Sequence, residues 1–477
     1  MPVQSTNPDY DAHIEEWRMM DDALEGECAI KRSPRNLPKP SGMVEAEKLD
    51  GAGNAYLYRN YTDRAQYEHW VRDSLRSMMG LVSRLIPEVK LPAGLKGLED
   101  NATADGFGLT QLFLRIVRQA ISHGRVPLVV NIDDAGQPYF ATYAVRNAIN
   151  WDTADQGGRQ DLALSVFREF RRKEQDRYSH ECETVYREFY MDGTVCRTGV
   201  RNEAGELVED DRPLGVVDGN ANLVRGLGYI PVIYCGSTDN SPDVDEVPLL
   251  TMARAALKSY QLSADYFTAL HQTSHPQPWV SGLDDSVELS VTGPSAAWDL
   301  GPNGKCGYLE FQGAGIQAVR TAMGDQKNAA LEAGAKVMDV SGTESGEARK
   351  TRQNDQHATL HSIVMTAAEA IEQALRYAAE WTGFNPDEVV FTVKPEFVIP
   401  EVSAQVLAEL QKSVMAGTIS AETYWQYLTT GKLPERPYNE EAELIGDDHD
   451  AGGVNLDKDD GDETDADGGR GAAGAGQ

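Results

Sequence analysis

The run Val247-Pro-Leu-Leu-Thr-Met-Ala-Arg-Ala-Ala-Leu-Lys-Ser-Tyr-Gln-Leu-Ser-Ala-Asp-Tyr-Phe-Thr-Ala-Leu-His-Gln-Thr-Ser274 reads as one long helix. Leu250, Met252, Ala253, Ala256, Leu257, Tyr260, Ala264, Phe267 and Leu270 recur at helical spacing along it. At 1.5 Å per residue such a helix is about 40 Å long. A second helical pattern covers residues 316–337, about 30 Å on the same rise. The 41 residues between them, 275–315, are broken by Pro276, Pro278, Gly282, Gly293, Pro294, Gly301, Pro302, Gly304 and Gly307. That composition predicts short strands and turns. Two long rods therefore flank a compact insert.

Downstream, residues 339–355 are polar, contain Gly342 and Gly346, and read as a loop. A third long helix follows, with Leu360, Ile363, Val364, Ala367, Ile371, Ala374, Leu375, Ala378 and Trp381 on one face and Gly383 at its end. Residues 389–393 read as a strand, and 403–416 and 420–429 as two short helices. Ser420 suits the N-cap of the last one, with Ile419 and Tyr424 as a hydrophobic staple. Upstream, residues 1–59 read as irregular, because Pro34, Pro38 and Pro40 break a helix. Helices are expected over 62–85 and 110–123, the second closed by Gly124. Strands are expected over 126–132, 138–143, 162–170, 183–191, 194–198 and 229–235. The fold class is α+β.

Composition excludes several classes. The chain has 477 residues, 75 acidic and 44 basic, for a formal charge of −31. Such a surface does not wrap DNA by neutralising phosphates. No apolar stretch is long enough for a membrane-spanning helix, and no secretory leader is expected from the first residues. Cys28, Cys182, Cys196, Cys235 and Cys306 are far apart and lack a C-x-x-C pair, which suits reduced thiols in a cytosolic compartment. Residues 439–477 hold 13 Asp/Glu against Lys458 and Arg470 and read as an unfolded acidic tail.

Enzyme motifs are weak. Gly313-Ala-Gly-Ile-Gln-Ala318 has G-x-G-x-x-A form and opens a helix, but the turn-rich sequence before it supplies no doubly wound sheet. Gly301-Pro-Asn-Gly-Lys-Cys306 lacks phosphate-loop spacing, and Cys306 replaces the metal-binding hydroxyl. His357 and His361 stand at i, i+4 without the glutamate of H-E-x-x-H. No catalytic residue, metal site or cofactor is assigned. Three groups of cations stand out: Arg171, Arg172 and Lys173; Arg320, Lys327 and Lys336; and Arg349, Lys350 and Arg352.

In its order of segments the chain resembles the portal proteins of tailed bacteriophages. The resembling strings are Trp17-Arg-Met-Met-Asp-Asp-Ala-Leu-Glu-Gly26 with Asn36-Leu-Pro38, Gly80-Leu-Val-Ser-Arg-Leu-Ile-Pro87 and Ile121-Ser-His-Gly-Arg-Val-Pro-Leu-Val-Val130. Val247-Pro-Leu-Leu250, Leu262-Ser-Ala-Asp-Tyr266 and Leu300-Gly-Pro-Asn-Gly-Lys-Cys-Gly-Tyr-Leu-Glu-Phe311 continue the series. The resemblance covers about residues 10–435. It implies a homo-dodecameric ring at one capsid vertex of the virion, through which double-stranded DNA passes without sequence recognition.

On that resemblance, 1–59 is an arm, 60–246 an α+β wing, 247–274 and 316–338 the two stem helices, and 275–315 the clip. Residues 339–355 become the tunnel loop, 356–400 a wing helix and strand, 401–438 a helical crown, and 439–477 the acidic tail. Arg349, Lys350, Arg352, Arg320, Lys327 and Lys336 are then expected along the channel. The clip, with Trp279, Asp284, Asp285, Trp298 and Asp299, is expected to dock terminase and later a head-completion adaptor or tail protein. The major capsid protein is a further implied partner, and no membrane is involved. Leu257, Tyr260, Leu270 and Met323 are expected at the subunit interface, since two isolated rods cannot bury their apolar faces within one chain. The alternatives are a nucleotide-dependent enzyme using the loop at 313–318 and an oligomeric scaffold or adaptor that conducts no DNA.

Overall fold

The computed structural model describes residues 2–133, 135–156, 159–173, 178, 180–217, 223–274, 277–282, 303–309, 314–334, 346–395, 404–430, 433–434 and 436–450. The chain divides into two units, Met1–Pro395 and Glu396–Gln477.

The larger unit opens with helices, correcting the expectation of an irregular arm. They are α1 (Pro8–Glu25), α2 (Glu27–Arg32), α3 (Ser41–Leu49) and α4 (Gly51–Arg64), followed by α5 (Trp70–Val82). Pro34 and Pro38 do interrupt the helical run, between α2 and α3, but helices form on either side of them, and Pro8 and Pro40 stand at helix starts. Pro8 sits at the first position of α1, where it loses no hydrogen bond, and Asn7 caps it by accepting from the Asp9 N–H at 2.8 Å. Pro40 immediately precedes α3. Trp17 and Met20 of α1 are fully buried, so this segment belongs to the core.

The single helix expected over 62–85 is two helices. The Ser263 hydroxyl accepts from the Gln66 N–H at 2.9 Å and lies 3.0 Å from the Gln66 carbonyl, so it satisfies the backbone where the helix is interrupted. Tertiary contact wins over local periodicity.

Strand β1 (Glu88–Lys90) and helix α6 (Leu109–His123) come next. Gly124 ends α6 at φ +75°, and a Cβ there would lie 2.8 Å from the Glu246 carbonyl oxygen. Only glycine meets both demands. Strands β2 (Arg125–Ile132) and β3 (Pro138–Thr142) follow, then an antiparallel five-stranded meander of β4 (Ala148–Gln156), β5 (Arg159–Arg172), β6 (Cys182–Asp192), β7 (Val195–Asn202) and β8 (Leu207–Pro213). A short pair, β9 (Gly215–Val217) and β10 (Leu223–Gly226), precedes β11 (Val232–Gly236). Strand β11 pairs antiparallel with β2, Tyr234 opposite Pro127, giving a second sheet of order β11-β2-β3.

Helix α7 (Leu250–Thr273), the hairpin β12 (Gln277–Ser281) and β13 (Lys305–Leu309), and helix α8 (Ala314–Glu332) follow in sequence. Helix α9 (Gly346–Thr382) and β14 (Val390–Thr392), which pairs with β1, complete the unit. The apolar stripe of α9 is the centre of the core. Ile363, Val364, Ala367, Ile371, Ala374, Leu375 and Ala378 are all buried, against α6, β2, β11 and β14.

The smaller unit contains α10 (Ala404–Met415), α11 (Ala421–Thr430) and α12 (Tyr438–Asp450). Ser420 is the N-cap of α11, its hydroxyl accepting from the Thr423 N–H at 3.1 Å. The acidic segment expected to stay unfolded from residue 439 begins instead as α12. Glu441 accepts from the Ser420 N–H and from the Thr423 hydroxyl, both at 2.7 Å, and pairs with Arg436. Burial raises the Glu441 carboxyl, but these donors outweigh it and leave it below the usual range. Residues 451–477 lie outside the described residues.

Candidate channel and docking elements

The two rods are present as α7 and α8, and of the segment between them the described residues form the β12–β13 hairpin. In the hairpin, Trp279 stands opposite Gly307 and Ser281 opposite Lys305. The antiparallel strands send the chain out along α7 and back along α8, and the two helices pack on each other. On the 1.5 Å rise, α7 is about 36 Å long and α8 about 28 Å.

Burial is uneven along this module. The buried residues of α7 lie between Leu250 and Ala264, where α1, α4 and α5 cover it, and none lies beyond Ala264. On α8 only Ala330 is buried among the described residues. The distal part of α7 and most of α8 therefore pack on each other with half-buried and exposed side chains, without the full burial of the proximal half.

This geometry corrects one expected interface residue. Tyr260 is fully buried inside its own chain, with its ring 6.3 Å from Tyr67 in an edge-on contact. The premise that the rods find no cover within one chain fails for the proximal half of α7. Leu257, Leu270 and Met323 are half-buried.

Of the cations expected along the channel, Arg320 and Lys327 are exposed and seven residues apart on α8, on the same side of the helix. Lys336 lies outside the described residues. Arg349, Lys350 and Arg352 correct the loop assignment for 339–355, because helical backbone begins at Gly346 and carries all three. Residues 335–345 are outside the described residues. Trp279, expected in the clip, is exposed on β12, and its indole lies over Gly307, where a Cβ would come within 3.0 Å of the ring nitrogen. Asp284, Asp285, Trp298 and Asp299 lie outside the described residues.

The other cationic cluster is neutralised. Arg171 pairs with Glu169 at 3.1 Å and with Glu209 at 2.6 Å, and Lys173 faces Glu181. Arg187 adds a 2.7 Å bond to Glu169, to which the Tyr143 hydroxyl also donates at 2.7 Å. Burial pushes the Glu169 carboxyl up, but Arg187, Tyr143 and Arg171 outweigh it and hold it below its ordinary value. Arg197 with Asp211 and Arg201 with Glu188 repeat the arrangement across the meander. These arginines tie strands together and present no phosphate-binding face.

Two chemical constellations do not form active sites. Residues 314–318 are the first turn of α8, and strand β13 before them belongs to a two-stranded antiparallel hairpin, so the parallel-sheet setting of a dinucleotide loop is missing there. Ser122 Oγ lies 2.8 Å from His123 Nδ1, and His123 Nε2 lies 3.0 Å from Asp21 Oδ1, a triad-like series that sequence reasoning missed. Ser122 is buried and also points at the Gln119 carbonyl, while Arg146 holds the other Asp21 oxygen at 2.6 Å. The cluster fastens α1 to the end of α6. Its partners are about a hundred residues apart, so no local pattern signals it.

Cys196 and Cys235 are buried, and burial pushes the Cys196 thiol up to about 12 and the Cys235 thiol higher still. Neither is poised as a nucleophile. His361 is exposed on α9. Among the described residues no group of three His, Cys, Asp or Glu is arranged to hold a metal ion. No helix among them is long and apolar enough to cross a membrane.

A family model described as a domain of unknown function (DUF4055) matches residues 248–382, from the start of α7 to the end of α9. No curated protein matches the chain. Among solved structures the chain is similar to one from the virion of a native gene transfer agent (GTA) particle, at 13% identity and a TM-score of 0.39. That likeness covers 83% of this chain and 96% of the other.

Proposed function

We propose that this chain is a phage portal protein, the ring-forming subunit of the DNA channel at one capsid vertex. The observation that carries the reading is the α7–hairpin–α8 module, whose distal helices pack on each other yet bury almost no side chain fully. Helices of this length are not stabilised by propensity alone, and their half-buried faces at Leu257, Leu270 and Met323 call for cover from neighbouring copies. In a ring, that cover comes from identical chains on either side, through a heterologous contact that closes.

In this reading α7 and α8 are the stem, the hairpin with the residues between its strands is the clip, and α10 and α11 form the crown. The clip docks terminase during packaging and an adaptor or tail protein afterwards. The acidic chain suits a conduit that must release its cargo, because each phosphate neutralised by a cation adds salt-dependent affinity. Sparse cations at Arg320, Lys327 and the helical Arg349, Lys350 and Arg352 then steady the duplex without reading its bases. Electron microscopy of the purified chain tests the proposal. Closed rings with a hole wide enough for a B-form duplex support it, and solid particles support a scaffold instead.

A further inference from the structure

A second feature lies away from the stem. A cavity of about 370 Å³ opens between the start of β5, strand β11, the loop at 239–243 and the middle of α9. That volume is within the range of small-ligand sites. Its lining is one-sided in charge. Asp161 and Glu369 supply carboxylates, Gln160, Gln373 and Asn240 supply amides, and no Lys, Arg or His is among the lining residues.

Asn240 adds an orientation argument. Its amide nitrogen donates to the Thr366 carbonyl at 3.2 Å, which fixes the direction of the amide group because a carbonyl only accepts. The amide oxygen is thereby committed as an acceptor, and it is buried with no donor among the described residues. A buried acceptor left without a donor is costly. Two tyrosines complete the wall: Tyr377 is stacked on Tyr229 at 4.2 Å between ring centres, and Tyr234 has its hydroxyl engaged by Ser165 at 2.6 Å.

We propose that this cavity binds an organic cation, an alkylammonium or alkylguanidinium whose head is held by Asp161, Glu369 and the Asn240 amide oxygen. A methylene stem finds apolar cover at Leu162 and Pro242. An organic cation fits better than a metal ion, since no three acidic, His or Cys ligands converge among the described residues. The head group has two natural sources, a free di- or polyamine and a Lys or Arg side chain of another polypeptide. The inference rests on the cavity alone and is independent of the channel reading.

The test is isothermal titration of the full-length protein with agmatine, N-acetylarginine N-methylamide and the neutral control 1-pentanol, repeated at raised salt. The carrier variants are Glu369→Gln and Asp161→Asn, both at exposed positions whose replacement leaves the core intact. Saturable binding of a cation and not of the alcohol is expected, weakened by at least about tenfold in the double variant. Circular dichroism and thermal unfolding of the variant should match the parent. Tighter binding of the arginine derivative identifies a polypeptide side chain as the source, and tighter binding of agmatine a free amine. Absence of saturable binding by either cation, or equal binding in the double variant, overturns the proposal whatever the oligomeric state.

Discussion

Arg125 is the largest charged group in the core, 1% exposed, with its guanidinium 4.1 Å from the Trp151 ring centre and 3.9 Å from that of Tyr234. Trp151 is on the meander and Tyr234 on the other sheet, so this sandwich joins the two. No protein acceptor among the described residues meets its Nε, Nη1 or Nη2. Burial pushes its pKa down to about 10, with the carboxylates of Asp243, Asp245 and Asp9 among the groups opposing that shift, so it stays protonated at neutral pH.

Two desolvated cation–π contacts are worth about 2 kcal/mol each, so about 4 kcal/mol opposes a desolvation cost of several kcal/mol. Arg125→Lys keeps the charge but replaces a weakly hydrated plane with a strongly hydrated ammonium that does not stack, and should lose roughly 2–3 kcal/mol. Arg125→Met removes charge and ring contacts together while keeping most of the stem volume, and should stay within about 1 kcal/mol of the parent. Arg125→Ala loses the volume as well and should be the worst, at roughly 3–5 kcal/mol. Denaturant unfolding followed by tryptophan fluorescence gives the order Met, Lys, Ala from most to least stable. If Lys matches the parent, or Met is less stable than Lys, the stacked guanidinium is not what balances this buried charge.

Glu169 has a depressed folded pKa, so its contribution is present above the unfolded carboxylate value near 4.3 and is lost as pH falls through the folded value. The stability gap between the parent and Glu169→Gln should therefore be full at pH 7 and narrow progressively below about pH 4, measured by denaturation across that range. Leu270→Asp with Met323→Lys should leave the circular dichroism spectrum intact but shift mass photometry towards monomer; unchanged assemblies would move the interface elsewhere. Replacing Arg349, Lys350 and Arg352 together with Ala should preserve rings and empty capsids while lowering packaged DNA length or its retention. Normal packaging and retention would remove these cations from the mechanism.

Much of the architecture was legible where one local rule governs. The α9 stripe keeps a 3.6-residue period from Leu360 to Trp381 because that face packs the core, and the proximal half of α7 follows the same logic. Gly124 was legible as a helix stop, although the nearby Glu246 carbonyl that makes glycine obligatory was not. Sequence reading failed where distant residues intervene. Ser263 interrupts the helix at Gln66 from nearly two hundred residues away, and Glu441 organises an acidic segment by capping α11. Pro34 and Pro38 mark a real break between α2 and α3, but a local helix break does not make the flanking chain irregular, and Pro40 stands at the start of the next helix. Tyr260 has the spacing of an exposed rod residue but is covered from within its own chain, by Tyr67 and by helices α1, α4 and α5 that pack on α7, a long-range packing that local periodicity does not show. Arg349, Lys350 and Arg352 were read as loop residues because the polar run around them has no apolar stripe to reveal its helix.

The central claim concerns assembly, and electron micrographs of the purified full-length chain test it most directly. The account predicts closed rings of identical subunits, each with an open axial channel wide enough for a B-form duplex, and twelve copies where the ring sits in a capsid. A stable monomer at micromolar concentration, or particles with no axial opening, would contradict it.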